Sequence, residues 1–148
     1  MANKAVMDAV EARLDSGWSR APRLDLNADM ATPPATAEES FPPFVVVEYP
    51  YSDERQVTLG GPGTSAFRET GAFRIVLSVP AGAGREPYAT WIEELRGLFR
   101  GARFGGVLCQ APSGSTTDDR GGPGAYWRMS FAVPYEFDFI PPAPEDTP

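Results

Sequence analysis

The clearest pattern in the chain is an alternation of large apolar side chains with smaller or polar ones between Tyr126 and Phe139. A period of two predicts one long β-strand with a buried face. Pro134 lacks a backbone N–H, so the strand either bends there or lies at the edge of a sheet. Its C-terminal half, Tyr135 to Ile140, is a candidate to project beyond the domain and pair with a neighbouring copy. The positions on the apolar face are Trp127, Met129, Phe131, Val133, Tyr135, Phe137 and Phe139.

Three further strands are predicted in the middle of the chain. Phe44 to Tyr49 is dense in β-branched and aromatic residues and is followed by Pro50. A second strand is expected from Arg55 to Leu59 and a third from Ala66 to Val79, with a glycine-rich turn between them. The alternation in the third strand predicts one core face and one face that is wet or contacted by a partner.

Two amphipathic helices are predicted. The first runs from about Lys4 to Ser16, with Asn3 as its N-cap, and the second from Pro87 to Arg100. Glycines at 17 and 101 are expected to end them. Trp91 is expected to be a core anchor of the second helix, so Trp91→Ala should be severely destabilising. The apolar face of that helix comprises Tyr88, Trp91, Ile92, Leu95, Leu98 and Phe99.

The remaining segments complete the predicted fold. Short strands are expected at Pro22 to Leu26 and Gly106 to Gln110, and a Gly/Asp loop follows from Ser113 to Gly124. This order favours an α+β fold, a mostly antiparallel sheet with helices packed on one side. We expect a single domain over residues 1–140 with a long Pro-rich loop at 27–43, either mobile or held by a partner. Residues 141–148 are expected to form a flexible Pro-rich tail.

The composition and charge of the chain exclude several classes of function. The 148 residues carry a net charge of −7 and a pI near 4.6, which argues against direct wrapping of nucleic acid. There is no histidine and only one cysteine, so triads with a histidine base and an intrachain disulfide are excluded. No signal peptide or membrane span is apparent, and an intracellular, soluble protein is the simplest expectation.

The candidates for chemistry are weak. Cys109 lies in a strand pattern and is expected to be a small buried apolar residue. Asp118, Asp119 and Arg120 could form part of an oxygen-ligand cation site, but the alternating carboxylates of a calcium loop are missing. The glycine-rich stretches lack phosphate-binding spacings and are predicted to be turns. We therefore predict no catalytic, cofactor-binding or metal site.

Several segments together resemble the tail terminator, or tail completion, proteins of long-tailed bacteriophages and prophage-like particles. The resemblance covers roughly Lys4 to Asp138 and leaves out the Pro-rich tail. The segments that carry it are Ala5 to Leu14, Val57 to Gly63, Gly71 to Val79, Leu98 to Phe104 and Trp127 to Phe137.

The resemblance implies a structural subunit without enzymatic activity. It would form a homo-hexameric ring that caps the tail-tube protein, stops tube polymerisation and meets the head–tail connector protein, with DNA only passing through the lumen. The implied location is the head-proximal end of the virion tail, after assembly in the host cytoplasm and without a membrane. The long loop leaves a head-to-tail connector or minor tail protein open. Alternatives of other classes are a small module binding an apolar ligand between helix and sheet, and a metal-dependent hydrolase using Asp118 or Asp119.

Contacts with other subunits or partners are expected at the end of the last strand, in the Gly/Asp loop and near the middle turn. The residues chosen are Arg55, Gln56, Asp118, Asp119, Arg120, Tyr135, Phe137 and Asp138.

Overall fold

An open antiparallel sheet forms the centre of the protein, and two helices pack on one of its faces. The computed structural model describes residues 2–25, 42–80, 86–118 and 126–142. The chain order is α1 (Lys4–Gly17), β1 (Phe44–Gln56), β2 (Phe67–Pro80), α2 (Tyr88–Phe99), β3 (Arg103–Phe104), β4 (Val107–Cys109), β5 (Thr116–Asp118) and β6 (Tyr126–Phe139).

The strands are ordered β1-β2-β6-β4-β3, with β5 also paired to β6, and all of these pairs are antiparallel. The predicted α+β fold with helices on one side is confirmed. Most of the predicted loop at 27–43 and of the tail at 141–148 lies outside the described residues. In the part of the chain that is described, no helix is long and apolar enough to cross a membrane.

Both helices begin and end where the sequence signals predict. The Asn3 side chain accepts a hydrogen bond from the Ala5 N–H at 3.0 Å, which satisfies one of the free donors in the first turn of α1. Pro87 precedes α2, and Gly101, with φ of 60°, follows its C-cap. The two helices bury Val6, Val10, Leu14, Ile92, Leu95 and Phe99 against the sheet.

Trp91 is only partly buried, so its expected role as the core anchor of α2 is wrong. Its ring lies edge-on to Trp18, with centroids 6.1 Å apart, and edge-on to Tyr88, with centroids 4.9 Å apart. These contacts hold the outer flank of α2 against the end of α1. The fully buried positions of α2 are one and two turns further on, at Leu95 and Phe99.

The two strands predicted before and after Pro50 are one strand. Residues 44–56 pair with β2 throughout, and the register shifts between Glu48 and Tyr51, where Pro50 lies. A bulge in an edge strand accommodates a residue that cannot donate to the ladder. The predicted strand from Arg55 to Leu59 is therefore wrong beyond Gln56, and residues 57–66 form a loop.

The long alternating strand is confirmed, but it is central. β6 pairs with β2 from Tyr126 to Phe139 and with β4 and β5 on its other side, so the expected projection beyond the domain is wrong. The Pro134 carbonyl accepts a hydrogen bond from the Gln110 N–H at 2.9 Å. In an antiparallel strand, the backbone nitrogen and carbonyl of one residue point to the same neighbouring strand. The nitrogen of Pro134 thus faces the segment between β4 and β5, where the neighbouring chain leaves the ladder.

Candidate interaction surface at the loop end of the sheet

Three of the predicted contact residues meet at one end of the sheet. Backbone pairing places Arg55 opposite Arg68, and Arg68 opposite Asp138, across β1, β2 and β6. Arg68 binds both carboxylate oxygens of Asp138, at 2.8 and 3.1 Å, which lowers the pKa of Asp138. Gln56 lies beside them and donates to the Thr58 carbonyl at 2.9 Å. We call this region, with the 57–66 loop and residues 140–142, the loop end of the sheet.

Two other predicted contact residues are part of the core. Tyr135 is 1% exposed and Phe137 is 9% exposed, because both lie on the sheet face that the helices cover. The Tyr135 hydroxyl donates to Glu69 at 2.6 Å, and this carboxylate also accepts from the Asn3 N–H at 3.1 Å. The prediction that these two residues make surface contacts is therefore wrong, because both are buried. The alternation of β6 had already assigned them to the buried face.

The predicted contacts in the Gly/Asp loop are not brought to the loop end. Asp118 is the last residue of β5, and its backbone lies opposite Arg128 in β6. Asp119 and Arg120 lie outside the described residues. An interface role for the other six chosen residues stays a prediction.

The 57–66 loop is held by its own hydrogen bonds. The Val57 N–H donates to the Ala66 carbonyl at 2.9 Å, and the Ala66 N–H donates to Thr58 Oγ1 at 2.8 Å. Inside the loop, Ser65 Oγ donates to the Gly60 carbonyl at 2.8 Å and accepts from the Gly60 N–H at 3.1 Å. A loop ordered in this way loses little conformational entropy when it binds a partner.

This ordered loop presents Leu59 to solvent. The residue is 98% exposed, and Val57 and Ile140 are the other exposed large apolar residues nearby. The ten residues of 57–66 include no charged side chain, although the chain as a whole is strongly acidic. The sequence prediction missed Leu59 because it was assigned to a strand; the absence of charge from 57–66 was the available signal.

A shallow apolar groove of about 430 Å³ opens beside the loop. Phe67 forms part of its floor and stacks on Phe139, with ring centroids 6.1 Å apart. The other lining residues are Gln56, Gly60, Pro62, Gly63, Ser65, Pro141 and Pro142. The loop end therefore combines a projecting leucine with an uncharged, concave surface.

A second groove of about 430 Å³, which we call the Trp18 groove, lies where α1 ends and β1 begins. Arg20 pairs with Glu94 at 2.7 Å, and Arg23 pairs with Asp15 at 2.9 Å, so the charges at its rim are already paired. The Trp18 indole N–H is buried and has no acceptor among the described residues. The apolar lining consists of Leu14, Trp18, Ala21, Pro22 and Val45.

The described residues offer little for catalysis. In the ranges 2–25, 42–80, 86–118 and 126–142, no three His, Cys, Asp or Glu side chains come together to hold a metal. Burial raises the pKa of the Cys109 thiol to about 12, which keeps it protonated at neutral pH. The space between the helices and the sheet, where an apolar ligand was considered, is filled by Phe73, Phe99 and Tyr135.

Comparison with protein-family profiles gives a match over most of the chain. The sequence profile of a family described as phage tail terminator protein matches residues 5–135, which is most of the chain and includes both helices and nearly the whole sheet. Comparison with curated proteins gave no significant match.

Proposed function

Because the chain belongs to the phage tail terminator family, in which the role is structural tail completion, we propose that it forms a ring that closes the end of the tail tube. The ring would cap the last ring of tail-tube protein, stop its polymerisation and offer its other face to the head–tail connector protein. A hexamer is the proposed stoichiometry, and the head-proximal end of the virion tail is the proposed position.

The family match over residues 5–135 carries this proposal. The loop end of the sheet is compatible with it, since Leu59, Val57 and Ile140 are exposed beside an uncharged groove. Ring formation also needs two different contact patches on each subunit. The loop end of the sheet is our candidate for one of these patches.

We further propose that DNA passes through the ring without being bound. The net charge of −7 disfavours stable contacts with phosphates, provided that carboxylates face the lumen. A ring whose lumen proved to be basic would contradict this part of the proposal.

The test is to add the purified protein to polymerising tail-tube protein from the same phage. Mass measurements by light scattering report whether the protein forms rings alone, and electron microscopy reports tube lengths and tube ends. We expect shorter tubes that carry an extra ring at one end. A fixed amount of an unrelated acidic protein serves as the control for nonspecific effects.

The outcomes separate the neighbouring roles. Shortened, capped tubes support the terminator. Binding to isolated connector rings with no effect on tubes would replace it by a head-to-tail connector, the alternative left open by the sequence. Absence of binding to both, including at tube tips, would refute the proposal.

A further inference from the structure

One row of paired residues crosses the whole sheet from edge to edge. Its members are Asp53 in β1, Thr70 in β2, Glu136 in β6, Leu108 in β4 and Arg103 in β3. Residues directly opposite one another on neighbouring strands point to the same face, and this row lies on the face opposite the helices. The row thus ends in a carboxylate at one sheet edge and in a guanidinium at the other.

The charged side chains at these two edges have no partner within the subunit. Across the ranges that the structure describes, the side chains of Asp53, Glu54, Arg100 and Arg103 make no hydrogen bond or ion pair, and all four residues are exposed. By contrast, the arginines inside the sheet, in β2, bind carboxylates of the neighbouring strands. The unpaired charges are therefore concentrated where the sheet is open.

The two edges carry charge of opposite sign. Residues 48–54 of β1 include three carboxylates and no basic residue. Residues 97–112, which contain β3 and β4, include Arg100 and Arg103 and no acidic residue. Charge on an edge strand opposes pairing with a like edge. An edge of opposite sign is attracted instead, so the subunit favours the pairing of unlike edges.

The backbone at both edges is oriented for pairing. The Cys109 N–H donates to the Ala102 carbonyl at 2.8 Å, and successive residues of an antiparallel strand point to alternate sides. The N–H and C=O of the next residue, Arg103, therefore point away from β4. Among the described residues, β1 beyond its bulge pairs with β2 alone, from Tyr51 to Gln56.

We propose that the β1 edge of one subunit pairs with the β3 edge of a second copy of this chain, with Asp53 opposite Arg103. This inference rests on the proposed ring, because it names the contact through which neighbouring subunits join. Four antiparallel pairings separate β1 from β3, so the two strands run in the same direction and meet as a parallel pair. A contact between two different edges is heterologous, and rotation by a constant angle closes it into a ring.

The flanking residues fit the same register. Glu54 would lie opposite Phe104, and the Arg13 guanidinium carbon is 5.0 Å from the centroid of that ring. Arg55 would lie opposite Gly105, which has no side chain. Exposed ion pairs add little affinity, so these charges select the edge and the register. Backbone hydrogen bonds and the apolar 57–66 loop, which follows β1, supply the rest of the contact.

The test reverses one charge on each edge, in Asp53→Arg and in Arg103→Asp. Each variant alone has like charges at the two ends of the row, and we expect it to self-associate about tenfold more weakly than the wild type in sedimentation velocity at about 0.15 M salt. An equimolar mixture should recover wild-type association, because every junction again joins opposite charges. Glu86→Arg changes the net charge as Asp53→Arg does, at an exposed residue before α2, and should associate as the wild type does.

A cysteine pair tests the contact directly. Neighbouring strands lie about 4.8 Å apart, which is within the range of Cα distances that a disulfide spans. Asp53→Cys combined with Arg103→Cys should give a ladder of linked oligomers on mild oxidation, whereas Asp53→Cys combined with Ser115→Cys should give none beyond dimers. Cys109 is buried, so it does not compete. Oxidation is carried out with and without tail-tube protein, because a ring that forms only on a tube tip also joins the edges.

The results distinguish this inference from the proposed function. A mixture that associates no better than the single variants, or the absence of a ladder under both conditions, overturns the contact. Capping of tubes by the wild type would then still support the terminator role. Cross-linking of Asp53→Cys to tube protein instead of to a second copy also overturns the contact. Recovery in the mixture and a ladder, without any effect on tubes, would uphold the contact and refute the terminator role.

Discussion

At the residue scale, the buried carboxylate of Glu69 joins three elements. It lies on the helix-covered face of β2 and accepts hydrogen bonds from Tyr135 in β6 and from the Asn3 backbone at the start of α1. The N-terminus of a helix carries a partial positive charge, which stabilises an anion placed there. The docking of α1 thus explains why a glutamate is buried in the core. The alternation of apolar and polar residues in β2 does not predict this hydrogen bonding.

Replacing Tyr135 by Phe tests this junction. The ring is kept, but Glu69 loses its shortest hydrogen bond, so the free energy of unfolding should fall by about 1–3 kcal/mol. Urea denaturation followed by tryptophan fluorescence measures the change. Tyr51→Phe, at an exposed tyrosine on the opposite face, should change it by less than about 0.5 kcal/mol. Equal effects of the two substitutions would mean that the Glu69 junction contributes little.

Gly71 is required where β1 approaches β2 at the bulge. A Cβ at this position would overlap the Tyr51 carbonyl oxygen and lie 2.9 Å from the Tyr135 hydroxyl. Gly71→Ala should therefore destabilise the protein by about 1–3 kcal/mol, as overpacking of a core does. Gly114→Ala, where no atom lies within 4 Å, is the matched control and should leave the melting temperature nearly unchanged. Comparable melting temperatures for both variants would contradict the predicted overlap.

The pair of Asp15 and Arg23 at the rim of the Trp18 groove predicts a pH effect. The hydrogen bond that Arg23 donates to Asp15 lowers the pKa of Asp15. The pair therefore stabilises the fold above the unfolded-state pKa of about 4, and this stabilisation is lost as the pH falls through the folded-state pKa. The side chain is 52% exposed, which limits the contribution to at most about 1 kcal/mol. Asp15→Asn should be less stable than the wild type near neutral pH and should match it in acid.

At the element scale, segments with one sustained hydrophobic period were predicted correctly, whereas strands that contain a proline were not. Both helices and β6 have a sustained period and clear end signals, and they were predicted within one or two residues. Pro50 led to a wrong strand boundary, and the edge position that Pro134 suggested for β6 is wrong, because a proline shows only that a ladder hydrogen bond is missing. Whether a bulge or a gap in the neighbouring strand absorbs that loss depends on pairing, which a single sequence does not reveal.

The candidate surface was predictable to a similar extent. Arg55, Gln56 and Asp138 were placed near a turn and a strand end, and the antiparallel register brings those ends together. Leu59 and the Trp18 groove were missed. Exposure of a leucine depends on where the strand stops, and the groove is made by α1 and β1, which are far apart in sequence.

The packing of α2 predicts a contrast between two leucines. Leu95 is fully buried against the sheet, whereas Leu98 lies at the edge of the helix interface and is partly exposed. Leu95→Ala should lower the free energy of unfolding by about 2–5 kcal/mol, and Leu98→Ala should lower it by clearly less. Chemical denaturation of both variants measures this difference between identical substitutions. A larger loss for Leu98 would place the core of α2 on a different face.

At the scale of the whole molecule, the charged residues are separated from the exposed apolar loop. The subunit carries a net charge of −7, but the 57–66 loop carries none, and the ionic groups at the Trp18 groove are paired within the subunit. Subunits of like charge repel one another at long range. Their attraction would come from apolar surface at short range, and these two terms respond to salt in different ways.

Salt should therefore strengthen assembly. Raising NaCl from about 0.1 M to about 1 M shortens the Debye length from roughly 10 Å to roughly 3 Å, which screens the repulsion between acidic subunits. Contacts between apolar surfaces are not weakened by that screening, whereas an interface made of ion pairs would be. Sedimentation velocity across this range should show a larger fraction of oligomer at higher salt. Loss of the oligomer with salt would identify ionic contacts, such as Arg55 or Asp138 of the loop end, as the main subunit interface.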